Sequence, residues 1–161
     1  TFNRKFNFDM LDSNIQRKAL ELFVAQFRSS AKKKLASSKR GIWSGKLLES
    51  INGSVEFDDG EWNFFLDMEE YGEFIDEGVN GTEKSWGSRF SYTTKKPPIN
   101  KIKSWASSKG LNPWAVQQSI FKKGIKPVKF FENVLDKELS KMVDYLAEAS
   151  ATSLLNDFGE E

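Results

Sequence analysis

Residues 54–68 read SVEFDDGEWNFFLDM, and this stretch predicts a β-hairpin. Apolar and polar residues alternate over 54–57 and again over 62–68, as they do in strands with one buried face. Between the two runs lies Asp58-Asp59-Gly60-Glu61, and an Asp-Gly pair favours a tight turn because glycine adopts positive φ without strain. The second strand should bury the face formed by Trp62, Phe64 and Leu66.

Helices are predicted on both sides of this hairpin. A long helix begins at Asp12 or Ser13 and reaches about Ser37. Its apolar stripe has helical spacing and consists of Leu20, Phe23, Val24, Phe27, Ala31 and Leu35. Short helical turns are expected over 44–51 and 71–77, the second ended by Gly78 and Gly81.

Three further helices are predicted downstream of a long loop. The first spans 99–109 and ends at Gly110, and the second runs from the cap pair Asn112-Pro113 to Lys123. The last opens at Pro127. Its apolar positions are Phe130, Phe131, Val134, Leu135, Leu139, Met142, Val143 and Leu146.

These elements predict an α+β fold. A small antiparallel sheet, formed by the central hairpin and an N-terminal segment that is either a strand or an extended arm, is packed by the long N-terminal helix and the C-terminal helices. A length of 161 residues predicts a single domain. Within it we expect an arm over 1–11, a core over 12–147, an extended loop over 82–96 and a fraying tail over 148–161. The Phe-rich arm docks either on the chain's own sheet or on another subunit.

Two residue types are absent, and their absence narrows the chemistry. The chain has no cysteine and no histidine. A Ser-His-Asp triad, a histidine base, a thiolate nucleophile and zinc sites built from these residues are therefore excluded. The acidic residues Asp67, Glu69, Glu73 and Glu77 match no known cation-binding spacing. We expect a non-enzymatic protein without cofactor or metal.

No apolar run approaches the roughly 20 residues that span a bilayer, and no basic-then-apolar segment resembles a signal peptide. The sequence thus predicts a soluble protein with no membrane partner.

Charge is segregated along the chain although the net charge is only +1. Twelve acidic residues and no basic ones fall between 47 and 83, whereas eleven basic residues and no acidic ones fall between 84 and 131. The blocks either form complementary surfaces, within one subunit or between neighbours, or simply neutralise each other inside the monomer.

A basic patch is predicted from Lys32, Lys33, Lys34, Lys39, Arg40, Lys122, Lys123 and Lys126. The part of this patch from Lys32 to Arg40 is either a solvated helix end, where the helix dipole favours cations, or a contact for phosphates or an acidic partner. The alternative function that follows is a small nucleic-acid-binding module. Trp105 and Trp114 are expected to serve core packing instead of stacking on bases.

Four short motifs occur in order along 12–147. They are carried by Gly45, Leu47, Ser50 and Ile51; by Tyr71, Phe74, Asp76 or Glu77, and Gly78; by Pro97, Pro98, Ile102, Trp105, Lys109 and Gly110; and by Ile120, Gly124, Ile125, Phe130 and Phe131. In this order the chain resembles the neck and tail-completion proteins of tailed bacteriophages, the tail-component family encoded beside the head–tail connectors. It departs from that family at 126–130, where Lys-Pro-Val-Lys-Phe replaces the frequent Arg-Pro-Phe.

The resemblance implies a virion structural protein assembled in the host cytoplasm. It would form a homo-oligomeric ring of about six or twelve copies between portal-side and tail proteins, and would line or seal the channel that packaged DNA crosses in transit. The acidic block would face that channel, since like charge disfavours phosphate binding. The expected subunit or partner interface comprises Tyr71, Phe74, Asp76, Glu77, Trp86, Arg89, Phe90, Tyr92, Lys95 and Lys96.

Overall fold

The computed structural model describes the backbone of residues 2–6, 13–38 and 45–158, and the side chains of 13–38 and 45–152. The elements in chain order are β1 Phe2–Phe6, α1 Ser13–Ser37, α2 Lys46–Ser50, β2 Asn52–Asp58, β3 Glu61–Asp67, α3 Gly72–Asp76, α4 Ile99–Ser108, α5 Pro113–Lys123 and α6 Glu132–Phe158. The predicted α+β class is confirmed.

The sheet is antiparallel throughout, with strand order β1-β3-β2. Asp58 pairs with Glu61 across the hairpin, so the loop has only two residues. These two, Asp59 and Gly60, have φ of 52° and 81°, the positive values that a type I′ turn requires. The Asp-Gly signal therefore predicted the turn correctly.

The N-terminal segment forms a strand of the chain's own sheet. β1 pairs with β3 from Phe2 opposite Leu66 to Phe6 opposite Trp62. Of the two placements considered for the arm, this pairing matches docking on the chain's own sheet. Phe8, the remaining phenylalanine of the arm, lies outside the described residues.

The chain divides into two compact units, each assembled from separate segments of the sequence. Unit 1 comprises Thr1–Lys34, Glu49–Glu69 and Phe131–Glu161, and unit 2 comprises Leu35–Leu48 and Glu70–Phe130. The single domain expected from chain length stays a prediction.

Unit 1 is organised by aromatic packing. All six apolar positions predicted for α1 are buried, and five of them, all except Leu35, lie in unit 1. The Phe23 ring meets the Phe64 ring of β3 edge-on at 4.8 Å between centroids, and Phe27 meets Phe131 in the same manner at 5.0 Å. Such pairs add to the free energy gained from burying apolar area.

The final helix differs from its prediction at both ends. It begins at Glu132, not at Pro127, because the backbone N–H groups of Val128 and Lys129 donate to Ile75 O and Asp76 O instead of to a helical turn. Its backbone continues to Phe158, although a fraying tail was expected from Glu148. Val143 is exposed, so it does not belong to the buried stripe.

Candidate functional site

The candidate site lies in unit 2, where a loop folds against the end of α5. The last carbonyls of a helix have no intrahelical partner and must find donors elsewhere. Here Thr82 N donates to Phe121 O at 3.0 Å and Glu83 N donates to Lys122 O at 2.9 Å. The Trp86 indole N–H donates to Lys123 O at 2.8 Å. We call residues 78–92 together with 120–125 the clasp.

Two glycines allow the clasp backbones to approach closely. Val79 and Ile125 exchange both backbone hydrogen bonds at 2.8 Å. A Cβ placed on Gly81 would overlap the backbone of Lys122 and Gly124, and a Cβ on Gly124 would overlap Val79 O and Gly81 N. Gly124 also has φ of 70°, which favours glycine. The clasp therefore requires glycine at both positions.

Asn80 organises the loop of the clasp through its side chain. Its Oδ1 accepts from Trp86 N at 2.6 Å and from Ser88 N at 3.3 Å. Its Nδ2 donates to Ser88 O at 2.6 Å and to Ser91 Oγ at 3.0 Å. Its backbone N–H donates to Phe90 O, and its carbonyl accepts from Tyr92 N. The Asn80 side chain and backbone thus connect separate parts of a loop that lacks helices and strands.

An aromatic and charged edge joins α3 to the clasp. The Phe74 and Phe90 rings lie 4.6 Å apart in an edge-to-face arrangement. The Arg89 guanidinium stacks over Phe90 at 4.7 Å and pairs with Glu73 at 3.1 Å and Glu77 at 2.8 Å. Four of the predicted interface residues (Phe74, Glu77, Arg89 and Phe90) are therefore brought together, and Tyr71 and Phe74 are exposed.

Other predicted interface residues are less available than expected. Asp76 is only 4% exposed, so its carboxylate is not a surface contact. Trp86, Phe90 and Tyr92 are half-buried, because the loop turns its aromatic rings toward α3 and α5. These three rings are therefore only partly exposed in the loop predicted over 82–96.

Tyr92 and Lys96 lie beside Phe121 of α5, whereas Lys95 is exposed to solvent. The Tyr92 ring is 6.2 Å from that of Phe121, and burial raises the pKa of the Tyr92 hydroxyl above its usual value of 10.0. The Lys96 ammonium lies 5.9 Å from the Phe121 ring centroid, and Lys95 is exposed.

The predicted basic patch is divided between the two units. Lys32, Lys33 and Lys34 lie on α1, whereas Lys122, Lys123 and Lys126 lie at or just beyond the end of α5. Lys39 and Arg40 fall outside the described residues. At α5, Lys122 pairs with Glu83 at 2.8 Å, and the ammonium groups of Lys84 and Lys126 lie 4.1 Å and 5.9 Å from the Trp86 ring centroid.

A buried carboxylate in unit 1 was not anticipated. Glu138 is 2% exposed, accepts from Ser30 Oγ at 3.1 Å and pairs with Lys141 at 2.8 Å. It borders a small groove between α1 and α6 with a volume of about 150 Å³. Helical spacing places Glu138 among the apolar positions of α6. Its hydrogen bond from Ser30 and its ion pair with Lys141 explain why the carboxylate tolerates burial.

The described residues include no group of three or more acidic side chains arranged to hold a metal ion. None of the helices that the structure describes is both long and apolar enough to cross a lipid bilayer. Of the four acidic residues compared with cation-binding spacings, Glu73 and Glu77 each form an ion pair with Arg89.

Sequence reasoning missed two features of the surface. Trp114 was expected in the core, yet 65% of it is exposed at the start of α5. Asn80 was not singled out, and its only local signal is its place between two glycines in a loop rich in serine. Comparison of the chain with protein-family models, curated proteins and solved structures finds no match.

Proposed function

We propose that the chain is a non-enzymatic structural protein of the neck of a tailed-phage virion. It assembles as a ring of about six or twelve copies between portal-side and tail proteins, and it lines or seals the channel through which DNA passes.

One observation carries this proposal. Two of the four ordered motifs, Tyr71 to Gly78 and Ile120 to Phe131, are separated by more than forty residues in the sequence. They meet in the clasp, where a Cβ on Gly78 would come within 2.5 Å of Ile125 O, and where the adjacent residue Val79 pairs with Ile125. Gly78 and Gly124, one from each motif, thus both allow the two backbones to approach closely, which supports reading the motifs as one pattern.

Charge segregation supports a ring in a second way. A ring whose subunits contact one another through two different surfaces is stabilised when those surfaces have opposite charge. The acidic block of 47–83 and the basic block of 84–131 supply such a pair from a single chain. The acidic block also suits a channel that must not retain DNA.

The test is quantitative mass spectrometry of purified particles, combined with electron microscopy of particles labelled on this chain. We expect a fixed low copy number, about six or twelve, and label at the head–tail junction. Absence of the chain from the particles would refute the proposal.

A small nucleic-acid-binding module is the second candidate, favoured by the lysines around Trp86. Arrays of lysine and aromatic side chains bind single strands by phosphate attraction and base stacking. This function predicts DNA binding that weakens steeply with salt and that Trp86→Ala impairs, while Phe57→Ala, at an exposed ring with acidic neighbours, serves as the control. Binding too weak to detect at low salt would exclude it.

A further inference from the structure

The tip of the β2–β3 hairpin carries an exposed apolar side chain with an acidic residue on either side of it in the sequence. Phe57 is 57% exposed, and the centroid of its ring lies 4.9 Å from that of Trp62. Glu56, Asp58 and Asp59 flank it in sequence and are exposed. Among the residues that the structure describes, none of these three carboxylates has an ion-pair partner. We call Phe57 with these acids the acidic tip.

The turn between α4 and α5 has the opposite character. Leu111 and Trp114 are exposed there, and the turn is held by a hydrogen bond from Leu111 N to Ala106 O at 2.8 Å. The Asn112 side chain caps α5 by accepting from the backbone of Trp114 and Ala115. The turn is therefore a defined surface in which two large apolar side chains are directed outward.

Lysines supply the charge of this second surface. Lys101, Lys103 and Lys109 are exposed on α4 or at its end, and within the described part of the chain none of them forms an ion pair. No acidic residue occurs from 84 to 131 to offset them. We call Leu111, Trp114 and these lysines the basic turn.

We propose that the acidic tip of one copy docks on the basic turn of a second copy of this chain. The inference rests on the proposed ring, and it names the two surfaces that build it. Carboxylates of the acidic tip meet ammonium groups of the basic turn, and Phe57 is desolvated against Leu111 and Trp114. Aromatic anchors inside a charged rim are the usual composition of an interface centre.

Two properties favour a second copy over other occupants. Each surface exposes a large aromatic side chain, and the charges of the two surfaces are opposite in sign. Because the surfaces differ, each copy contributes one of each and association continues from copy to copy until the ring closes. A nucleic acid would match the basic turn but would be repelled by the acidic tip.

The test uses the whole chain. Unlabelled and isotopically heavy protein are mixed in equal amounts at high concentration, joined with a zero-length carbodiimide reagent, digested and measured by mass spectrometry. The reagent links carboxylates to amines only where they touch. We expect linked peptides that join the acidic tip to Lys103 or Lys109, half of them containing one light and one heavy peptide.

Charge reversal sharpens the result. Asp58→Lys with Asp59→Lys, or Lys103→Glu with Lys109→Glu, should each lower the yield of mixed-label links involving the unchanged residues about tenfold. Mixing the two variants should restore association, since their charges are complementary again. Lys33→Glu, on α1, should leave the yield unchanged, and circular dichroism verifies that each variant is folded.

The proposal is overturned if links between the two surfaces are absent, if they join only peptides of one label, or if the charge reversals do not alter them. Particle mass spectrometry separates this inference from the proposed function. A chain present in particles at fixed copy number without these links refutes the docking alone. Links in the free protein together with absence from particles refute the phage assignment alone.

Discussion

Unit 1 and unit 2 are each stabilised internally by different kinds of contact. Unit 1 is a helix-on-sheet core in which phenylalanine rings of α1 pack on Phe64 and Phe131. In the clasp of unit 2, a loop is held by backbone hydrogen bonds, by the Asn80 amide and by contact between two glycines. Apolar packing follows a periodic pattern along the chain, whereas the clasp depends on single residues placed far apart.

Two asparagines illustrate the contrast. In unit 2, the Asn80 amide uses both its donor and its acceptor. In unit 1, Asn63 is 5% exposed, and its Oδ1 has no hydrogen-bond partner among the described residues. The same side chain is therefore an organising element in one unit and an unfavourable buried group in the other.

The largest effect is expected from Gly81→Ala. The added Cβ would overlap backbone atoms, which cannot move aside as a side chain can. We expect the free energy of unfolding to fall by about 4 kcal/mol or more, measured by denaturant titration. The control is Gly87→Ala, which meets nothing within 4 Å and costs only the strain of its φ of 72°, about 1–2 kcal/mol. Equal losses for the two variants would contradict close approach in the clasp.

The corresponding test in unit 1 is Phe27→Ala. Phe27 is fully buried and contacts Phe131, so its truncation should lower the free energy of unfolding by about 3–5 kcal/mol. Phe57→Ala removes the same number of atoms from an exposed site and should cost under about 1 kcal/mol. If the two truncations cost the same, the aromatic core is not what stabilises unit 1.

A smaller and more local effect is expected from Asn80→Leu. The variant leaves the amide N–H groups of Trp86 and Ser88 without their acceptor, which should cost about 2–3 kcal/mol. Hydrogen exchange of those two amides should accelerate while exchange in β3 is unchanged.

The matched control is Asn63→Leu, where an unsatisfied carbonyl is replaced by an apolar group of similar shape. Its effect should lie within about 1 kcal/mol of zero. A loss at position 63 as large as that at position 80 would show that the two asparagines do not differ as described.

The smallest effect concerns Tyr92 and alkaline pH. Burial raises the pKa of this hydroxyl in the folded chain above 10.0, so the folded state retains the proton that the unfolded state has lost. The free energy of unfolding should therefore decline as pH rises above 10.0 toward the folded-state pKa. Tyr92→Phe should reduce that decline in alkaline denaturant titrations, and Tyr145→Phe serves as the control. An identical decline in Tyr92→Phe would refute this linkage.

Local patterns explain which parts of the fold were predictable. The bounds of α1 follow from an apolar repeat, the hairpin turn from Asp59-Gly60, and the start of α5 from Asn112-Pro113, each readable within a few residues. The start of α6 was placed at Pro127, five residues before Glu132, because proline at a first helical turn is a local preference. The backbone hydrogen bonds from Val128 and Lys129 to the end of α3 override this local preference.

The candidate site was predictable only in part. The sequence predicts Phe74, Glu77, Arg89 and Phe90 as interface residues, and the structure places them next to one another, whereas Asp76 is buried and Trp114 is exposed against expectation. Whether a residue at a helical position faces the core depends on which neighbour covers that face. Periodicity alone does not contain this information.

The sequence by itself determined the α+β class, the hairpin with its two-residue turn, and the segregation of charge, because each depends on residues close together in the chain. Only the tertiary structure decided that 78–81 meets 124–127, that Asn80 holds the loop, and that the basic patch is divided between units. These features arise when distant segments meet. The hydrogen bonds and contacts that stabilise them form only when the chain folds. A local sequence pattern therefore does not predict them.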